Sequence, residues 1–480
     1  MAKINIQEMM VNSGVAFGTS GVRGLVEQMT NQVCAAYTLA FLNALGLTEQ
    51  RQKIAVGMDL RPSSPGIVAA CAAAIQQAGC EVDFCGVLPT PALALYGMAL
   101  GIPAIMITGS HIPFDRNGIK FYTAKGEISK ADEIAISHAQ VEVDEIADGQ
   151  EVPVVNPMAL QQYQQRYLNL FAKDLLRGWR IGVYEHSSSA RDCLKELLSA
   201  LGADVVGLAR TETFVPIDTE AVSQEDRLRG QNWSEEYHLD AIISTDGDGD
   251  RPLIADETGN WLRGDIVGLL TAKFLGAATV VTPVSCNTAI EASGLFQNII
   301  RTRIGSPYVI AGMEQAQHPG FVSVAGFEAN GGFLAGQGLS VGIRDLAPLP
   351  TRDSVLPALA VLALANRQGV KISTLLDDLP KRFTASDRIQ NFPSDNSKAL
   401  LGRLQSDEAA CLSLWNGELG NVVHSDLTDG LRLTFENAEI VHLRPSGNAP
   451  ELRCYAEADT MQRAEHLVNL TLQKISGHLS

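Results

Sequence analysis

No two cysteines in this 480-residue sequence stand in a C-x-x-C arrangement. The eight that occur, Cys34, Cys71, Cys80, Cys85, Cys193, Cys286, Cys411 and Cys454, are scattered and unmatched to histidines at zinc-ligand spacing. They read as reduced thiols, and a disulfide framework is not expected in a chain this long. Cations are scarce too: 37 Lys and Arg against 54 Asp and Glu leave a formal charge of −17, whose field repels nucleic acid and anionic membranes. An anionic ligand would therefore need a local cluster of arginines and lysines. Apolar runs of membrane-span length are missing, and the opening MAKINIQEMM has no signal-peptide core. These absences predict a cytoplasmic protein with no membrane contact. Hydrophobic residues at 46% and charged residues at 19% fit a well-packed chain of two to four domains.

What is present is an alternation of strands and helices. Lys53 to Met58 reads as a strand, a helix follows with Ser64 as N-cap, Pro65 at its first position and Gly79 as its stop, and Glu81 to Val87 is a second strand. The unit returns at Trp179 to Tyr184, Ala190 to Leu201 and Asp204 to Leu208. It returns again at Thr279 to Pro283, a helix from Ala289, and Ile299 to Ile304. Three strand, hydroxyl-rich turn, helix, strand units predict three related α/β domains with mixed, largely parallel sheets. The final hundred residues read as strands Leu431 to Phe435, Glu439 to Leu443 and Leu452 to Glu457, closed by a helix from Asp459 to Ile475, a smaller α+β domain. The expected divisions are 1–157, 158–262, 263–378 and 379–480.

The chemistry gathers in short stretches. Thr108 to Tyr122, TGSHIPFDRNGIKFY, follows an apolar strand-length run and carries Ser110 between Gly109 and His111, with Arg116 and Lys120 close behind. Ile112 stands where a G-x-S-x-G elbow needs its second glycine, and His111 adjoins the serine too closely in sequence to serve as a triad base. The setting suits a phosphorylated serine, although an ordinary turn has the same composition. Phe17 to Gly24, FGTSGVRG, offers glycines, hydroxyls and the guanidinium of Arg23 to an oxyanion.

Asp246 to Arg251, DGDGDR, places three carboxylates at alternating positions, able to converge on one hard cation. Asp246, Asp248, Asp250 and Glu257 also match the ligand positions of an EF-hand. Arg251 sits where that loop requires glycine, however, and the flanks read as strands. A strand-borne Mg²⁺ site is favoured, with a phosphorylated Ser110 as a natural further ligand and a solvated acidic turn as the plain alternative. Gly326 to Phe333, GFEANGGF, would point Glu328 and Asn330 the same way if extended, a pairing suited to sugar hydroxyls. Arg444 to Arg453, RPSGNAPELR, is the cationic cluster that the acidic whole demands: Arg444, Ser446, Gly447, Asn448 and Arg453 can grip one phosphate. A hairpin turn with surface-paired arginines is its plain reading.

In this order, and spread along nearly the whole chain, these stretches resemble the α-D-phosphohexomutase family. The resemblance implies a heart-shaped enzyme with a central cleft, to which each domain contributes one loop. It implies Ser110 as the phosphoserine, Asp246, Asp248 and Asp250 with Ser110 as Mg²⁺ ligands, and Arg251 supporting the serine loop beside His111. Glu328 and Asn330 would recognise the sugar, Arg444, Ser446, Gly447, Asn448 and Arg453 the non-reacting phosphate, and Arg23 and Lys120 would assist proton transfer.

Three departures from the common family pattern stand out. Ile112 replaces an asparagine, Ala329-Asn330-Gly331-Gly332 replaces a segment that usually carries histidine, and Asn448-Ala449 replaces a Thr-Glu pair. The Glu-Ala-Asn-Gly-Gly loop resembles a variant seen among bacterial phosphomannomutases. The expectation is therefore interconversion of mannose 6-phosphate and mannose 1-phosphate, with hexose 1,6-bisphosphate as activator, by a monomer or homodimer. Glucose, glucosamine or N-acetylglucosamine phosphates are the alternatives, followed by a silent sugar-phosphate binder and a calcium module.

Overall fold

The computed structural model describes residues 2–18, 21–47, 51–146, 151–316, 322–406, 414–415, 417–446 and 451–477. Three sheets are built on one plan. Each opens on a strand with a buried interior, Lys53–Met58, Arg180–Tyr184 or Thr279–Pro283. Apolar residues on both faces suit a strand covered by helices on either side. A helix follows, Ser64–Gln77, Arg191–Ala200 or Ala289–Ala292, and returns the chain to a second parallel strand, Glu81–Val87, Asp204–Leu208 or Asn298–Thr302. A third strand, Ala104–Ile107, Ala241–Thr245 or Val324–Phe327, joins the opposite edge of the first, again parallel.

The chain then reverses into an antiparallel fourth strand, Arg116–Thr123, Pro252–Ala255 or Phe333–Ala335. All three sheets thus run second, first, third, fourth in space. The reversal between third and fourth strands spans residues 108–115, 246–251 and 328–332. The serine, aspartate and sugar stretches therefore occupy one topological position in triplicate. The parallel part of each sheet is three strands wide, and antiparallel additions, such as Val22–Leu25 beside Arg116–Thr123 and Leu349–Asp353 beside Phe333–Ala335, complete the mixed sheets.

The C-terminal sheet is wholly antiparallel, in the order Phe383–Ile389, Leu452–Ala458, Ile440–Pro445, Leu431–Phe435, Val422–Asp426, and is packed by the helix Met461–Gly477. Its alternating burial, as in Leu431–Phe435, is that of a sheet with one face covered. One continuous apolar core runs through the first three sheets, from Ala55 and Leu93 through Ile181 and Ile243 to Val280 and Phe327. The fourth sheet has a separate core around Trp415, Phe435, Leu452 and Leu467.

Two details depart from the sequence reading. The helix over Ser64–Gln77 takes Ser63, not Ser64, as its N-cap, because the Ser64 hydroxyl is drawn to Asp59 Oδ1 at 2.7 Å. Residues 328–332 are not extended but close a tight turn, with Gly331 N–H donating to the Glu328 carbonyl at 2.9 Å. The seven described cysteines are buried and free, and Cys411 lies outside the described residues. Among the described residues no helix is long and apolar enough to cross a membrane.

Candidate active site

Ser110 is fully buried and sits at φ 53°, a left-handed conformation that a residue other than glycine keeps only when its surroundings hold it there. Thr108 Oγ1 accepts its N–H at 2.7 Å. The guanidinium of Arg61 does the rest: it donates to the carbonyl oxygens of Ser110, Ile112, Pro113 and Arg116 at 2.9, 2.6, 2.7 and 2.9 Å. Arg61 is itself buried, anchored through Nε to Asp59 Oδ2 at 3.2 Å and lying 4.0 Å over the Phe214 ring. One fork thus moulds the whole serine turn. Sequence reading missed Arg61, which stands between the strand Lys53–Met58 and the helix Ser64–Gln77, outside any motif.

Ser110 Oγ donates to Asp246 Oδ2 at 2.7 Å. Asp246, Asp248 and Asp250 are all buried, and one oxygen from each lies within 4.8 Å of the others. Lys120 Nζ donates to Asp248 Oδ2 at 2.6 Å and Asp250 Oδ2 at 2.8 Å, and Thr90 Oγ1 reaches the same Asp248 oxygen at 2.7 Å. Asp248 Oδ1 and Asp250 Oδ1 have no hydrogen-bond partner among the described residues. Buried carboxylate oxygens left without donors are costly, so this donor set fits a divalent cation. Burial and the neighbouring Asp248 and Asp250 push the Asp246 carboxyl well above its usual range. Burial would also raise Asp250, but Arg352, Lys120 and Arg251 outweigh it and hold that group low.

The aspartate turn is pinned by residues at or just before the starts of three helices. Thr90, at the start of the helix Thr90–Leu100, donates its backbone N–H to the Asp248 carbonyl at 2.9 Å. Ser189 N–H reaches the Gly247 carbonyl at 2.9 Å, and Ser354 Oγ the Gly249 carbonyl at 2.7 Å.

Around this core stand the cations. Arg251 Nη1 donates to His111 Nδ1 at 2.9 Å, and burial together with Arg251, Arg23 and Arg453 pushes His111 well below its usual 6.5. The imidazole is neutral, and Nδ1 is already occupied at 3.4 Å from Ser110 Oγ. The serine accordingly finds its close acceptor in Asp246. Arg23 lies opposite Gly118 in the sheet, and burial with Arg251 and Arg352 lowers it to about 10. Burial would likewise lower Lys120, but Asp248 and Asp250 outweigh that and keep it charged.

Glu328 is buried and accepts from Arg352 Nη1 at 3.3 Å, while Asn330 Oδ1 turns back onto the N–H of Gly332 at 2.9 Å. Of the remaining predicted residues, Arg444 and Arg453 sit on strands of the fourth sheet. Arg444 and Arg453 face each other across paired strands, and Arg453 pairs in turn with Arg388, which sequence reading did not single out. Three arginines in one register would repel one another without anions. Asp429 takes Arg444 at 2.8 Å, and Glu451 lies 3.4 Å from Arg388 and 3.6 Å from Arg453. Ser446 is buried at the end of its strand, its N–H on the Glu451 carbonyl at 2.8 Å. Gly447 and Asn448 lie outside the described residues. Arg388 and Arg453 also line a cavity of about 940 Å³, together with Asp218 and Glu220.

Residues 14–145, 263–383 and 394–473 match, respectively, the alpha/beta/alpha domain I, the alpha/beta/alpha domain III and the C-terminal domain of phosphoglucomutase/phosphomannomutase. The chain is 48% identical over 475 residues to a phosphomannomutase of Salmonella muenchen, covering 99% of this chain and 98% of that one. It is 47% identical over 463 residues to a phosphomannomutase of Sinorhizobium fredii, covering 95% and 97%. A phosphoglucomutase/phosphomannomutase family protein from Burkholderia thailandensis shares the fold, with a TM-score of 0.74 over 96% of both chains at 18% identity. The chain belongs to the phosphoglucomutase/phosphomannomutase family, the α-D-phosphohexomutases. It is an isomerase of that class.

Proposed function

We propose that this phosphohexomutase interconverts mannose 6-phosphate and mannose 1-phosphate, with Ser110 carrying the transferred phosphoryl group. The observation that carries the chemistry is the pairing of the buried Ser110 hydroxyl with Asp246 at 2.7 Å inside a turn ringed by cations. The near-full-length identity of 48% and 47% to two phosphomannomutases supports mannose over the other hexoses.

A free hydroxyl of the hexose monophosphate attacks the phosphorus on Ser110. The bond from phosphorus to Oγ breaks, and the hydroxyl proton passes to a base. The resulting bisphosphate turns over and returns its other phosphoryl group by the same steps in reverse. Positioning and charge do most of the work in such transfers, and Arg251, Arg23 and Lys120 supply the positive field. Mg²⁺, held by Asp246, Asp248, Asp250 and the phosphorylated serine, would neutralise charge on the transferring group. Arg23, lowered by burial and its arginine neighbours, and Lys120, which donates to Asp248 and Asp250, are the two candidates for proton transfer. Arg444, Arg453 and Ser446 hold the phosphate that does not react, and Glu328 reads sugar hydroxyls. Hexose 1,6-bisphosphate restores the phosphoserine when an intermediate escapes. A cytoplasmic monomer or homodimer completes the reading.

The test is initial turnover on the 1-phosphates of mannose, glucose, glucosamine and N-acetylglucosamine, each with Mg²⁺ and the matching bisphosphate. Mannose 1-phosphate should be turned over fastest, and preference for an amino sugar would overturn the substrate. Ser110→Ala should lose turnover and keep sugar-phosphate binding, whereas wild-type turnover in that variant would remove the phosphoserine.

A further inference from the structure

Arg352 is a buried guanidinium that no local motif announces. It projects from the strand Leu349–Asp353 and lies across two of the three equivalent turns. Its Nε and Nη2 meet Asp250 Oδ2 at 3.1 and 2.9 Å, and its Nη1 meets Glu328 Oε2 at 3.3 Å. Gly332 makes the crossing possible: a Cβ there would come within 2.7 Å of Arg352 Cδ. The contact fixes which oxygen of Asp250 is spoken for. Oδ2 is taken by Arg352 and Lys120, which leaves Oδ1, 3.7 Å from Arg251 Nε, without a hydrogen-bond partner, as is Oδ1 of Asp248.

We propose that Arg352 is a positioning residue that couples sugar recognition to the cation site, sharing one guanidinium between Glu328 and the metal ligand Asp250. The proposal rests on the reading of the aspartate turn as a Mg²⁺ site and of Glu328 as a sugar contact. A sugar hydroxyl donating to Glu328 draws on the carboxylate that Arg352 also uses, and the charge left on Arg352 is then felt at Asp250. Whatever the sugar does to Mg²⁺ affinity, Mg²⁺ must do to sugar affinity by the same factor.

Mg²⁺ affinity is measured by calorimetry on the full chain, alone and with 1-deoxymannose 6-phosphate, which lacks the accepting hydroxyl and so undergoes no turnover. Inorganic phosphate serves as the control that cannot engage Glu328. In the wild type the sugar analogue should shift Mg²⁺ affinity by about fivefold or more, and phosphate by much less. Arg352→Lys keeps a charge but cannot span both carboxylates, and with Arg352→Met it should bring the analogue's effect down to that of phosphate. Glu328→Gln should do the same, with no additional loss when combined with Arg352→Met. Wild-type coupling in both Arg352 variants, or no coupling in the wild type, would overturn the proposal alone. Unchanged Mg²⁺ affinity in Asp248→Asn would instead overturn the metal reading and the coupling with it.

Discussion

Arg61 shows how much one residue can carry at this site. Its guanidinium serves four carbonyl oxygens of the serine turn from a fully buried position. Arg61→Lys keeps the charge but not the fork: its three N–H donors face four carbonyls and Asp59, so at least two of these five acceptors would lose their donor. Each buried acceptor left unsatisfied costs about 1–3 kcal/mol, so a loss of about 2–6 kcal/mol in urea unfolding is expected. Turnover should fall by about 100-fold, because the reacting hydroxyl moves with the turn. Wild-type turnover in this variant would show that the left-handed Ser110 is held by something other than Arg61. At this scale the sequence was only partly readable. Ser110 and the three aspartates announce themselves because they lie in short contiguous patterns beside glycine. Arg61, Thr90 and Arg352 act through contacts with residues 49, 158 and 102 positions away, and no local pattern encodes such partners.

Among elements, the reversal between third and fourth strands is the recurring device. Three copies of one connection deliver the phosphoryl carrier, the cation ligands and the sugar contact to a common region. The aspartate copy leaves little room for a side chain at Gly249. Gly249 sits at φ 69°, and a Cβ there would stand 3.0 Å from Pro89 Cβ and 3.1 Å from Ala190 Cβ. Gly249→Ala therefore meets both backbone strain and contact with the N-caps of two helices, a cost of about 1–3 kcal/mol. The strain should also loosen the ligand cluster, so Mg²⁺ affinity measured by calorimetry is expected to fall about tenfold. Unaltered Mg²⁺ binding would mean the turn relaxes without moving Asp248 or Asp250. The strands on either side of these turns were legible from their apolar runs, because burial on both faces leaves a strong compositional trace. The turns themselves were less so. Residues 328–332 fold back because Asn330 caps Gly332 and Glu328 accepts from Gly331, contacts that alternation of side chains does not reveal.

For the molecule as a whole, the division of the core decides what can change independently. The first three sheets share one apolar core and carry further clusters of their own, while the fourth packs into a core that reaches none of them, so a perturbation confined to the fourth should register there first. His442 provides such a perturbation. It is buried, its Nε2–H donates to the Asp429 carbonyl at 2.6 Å, and burial lowers it to about 4 from the usual 6.5. The folded group is harder to protonate than the unfolded one, so the unfolded chain binds more protons between those two values. Stability from His442 is thus complete above about pH 6.5 and is lost as pH falls toward about 4, by up to about 3 kcal/mol. His186, donating to the Thr245 carbonyl at 2.9 Å and also lowered by burial to about 4, places the same dependence on the second sheet beside the aspartate turn. Hydrogen exchange, corrected for its intrinsic pH dependence, should show protection falling over this window in both Leu431–Phe435 and Arg180–Tyr184. Gln supplies a donor at a similar reach without titrating. His442→Gln should therefore flatten the dependence in Leu431–Phe435 and leave that in Arg180–Tyr184 as it was. If both segments still lose protection together in the variant, the fourth sheet does not open on its own account, and its separate core does not make it a separate unit of stability.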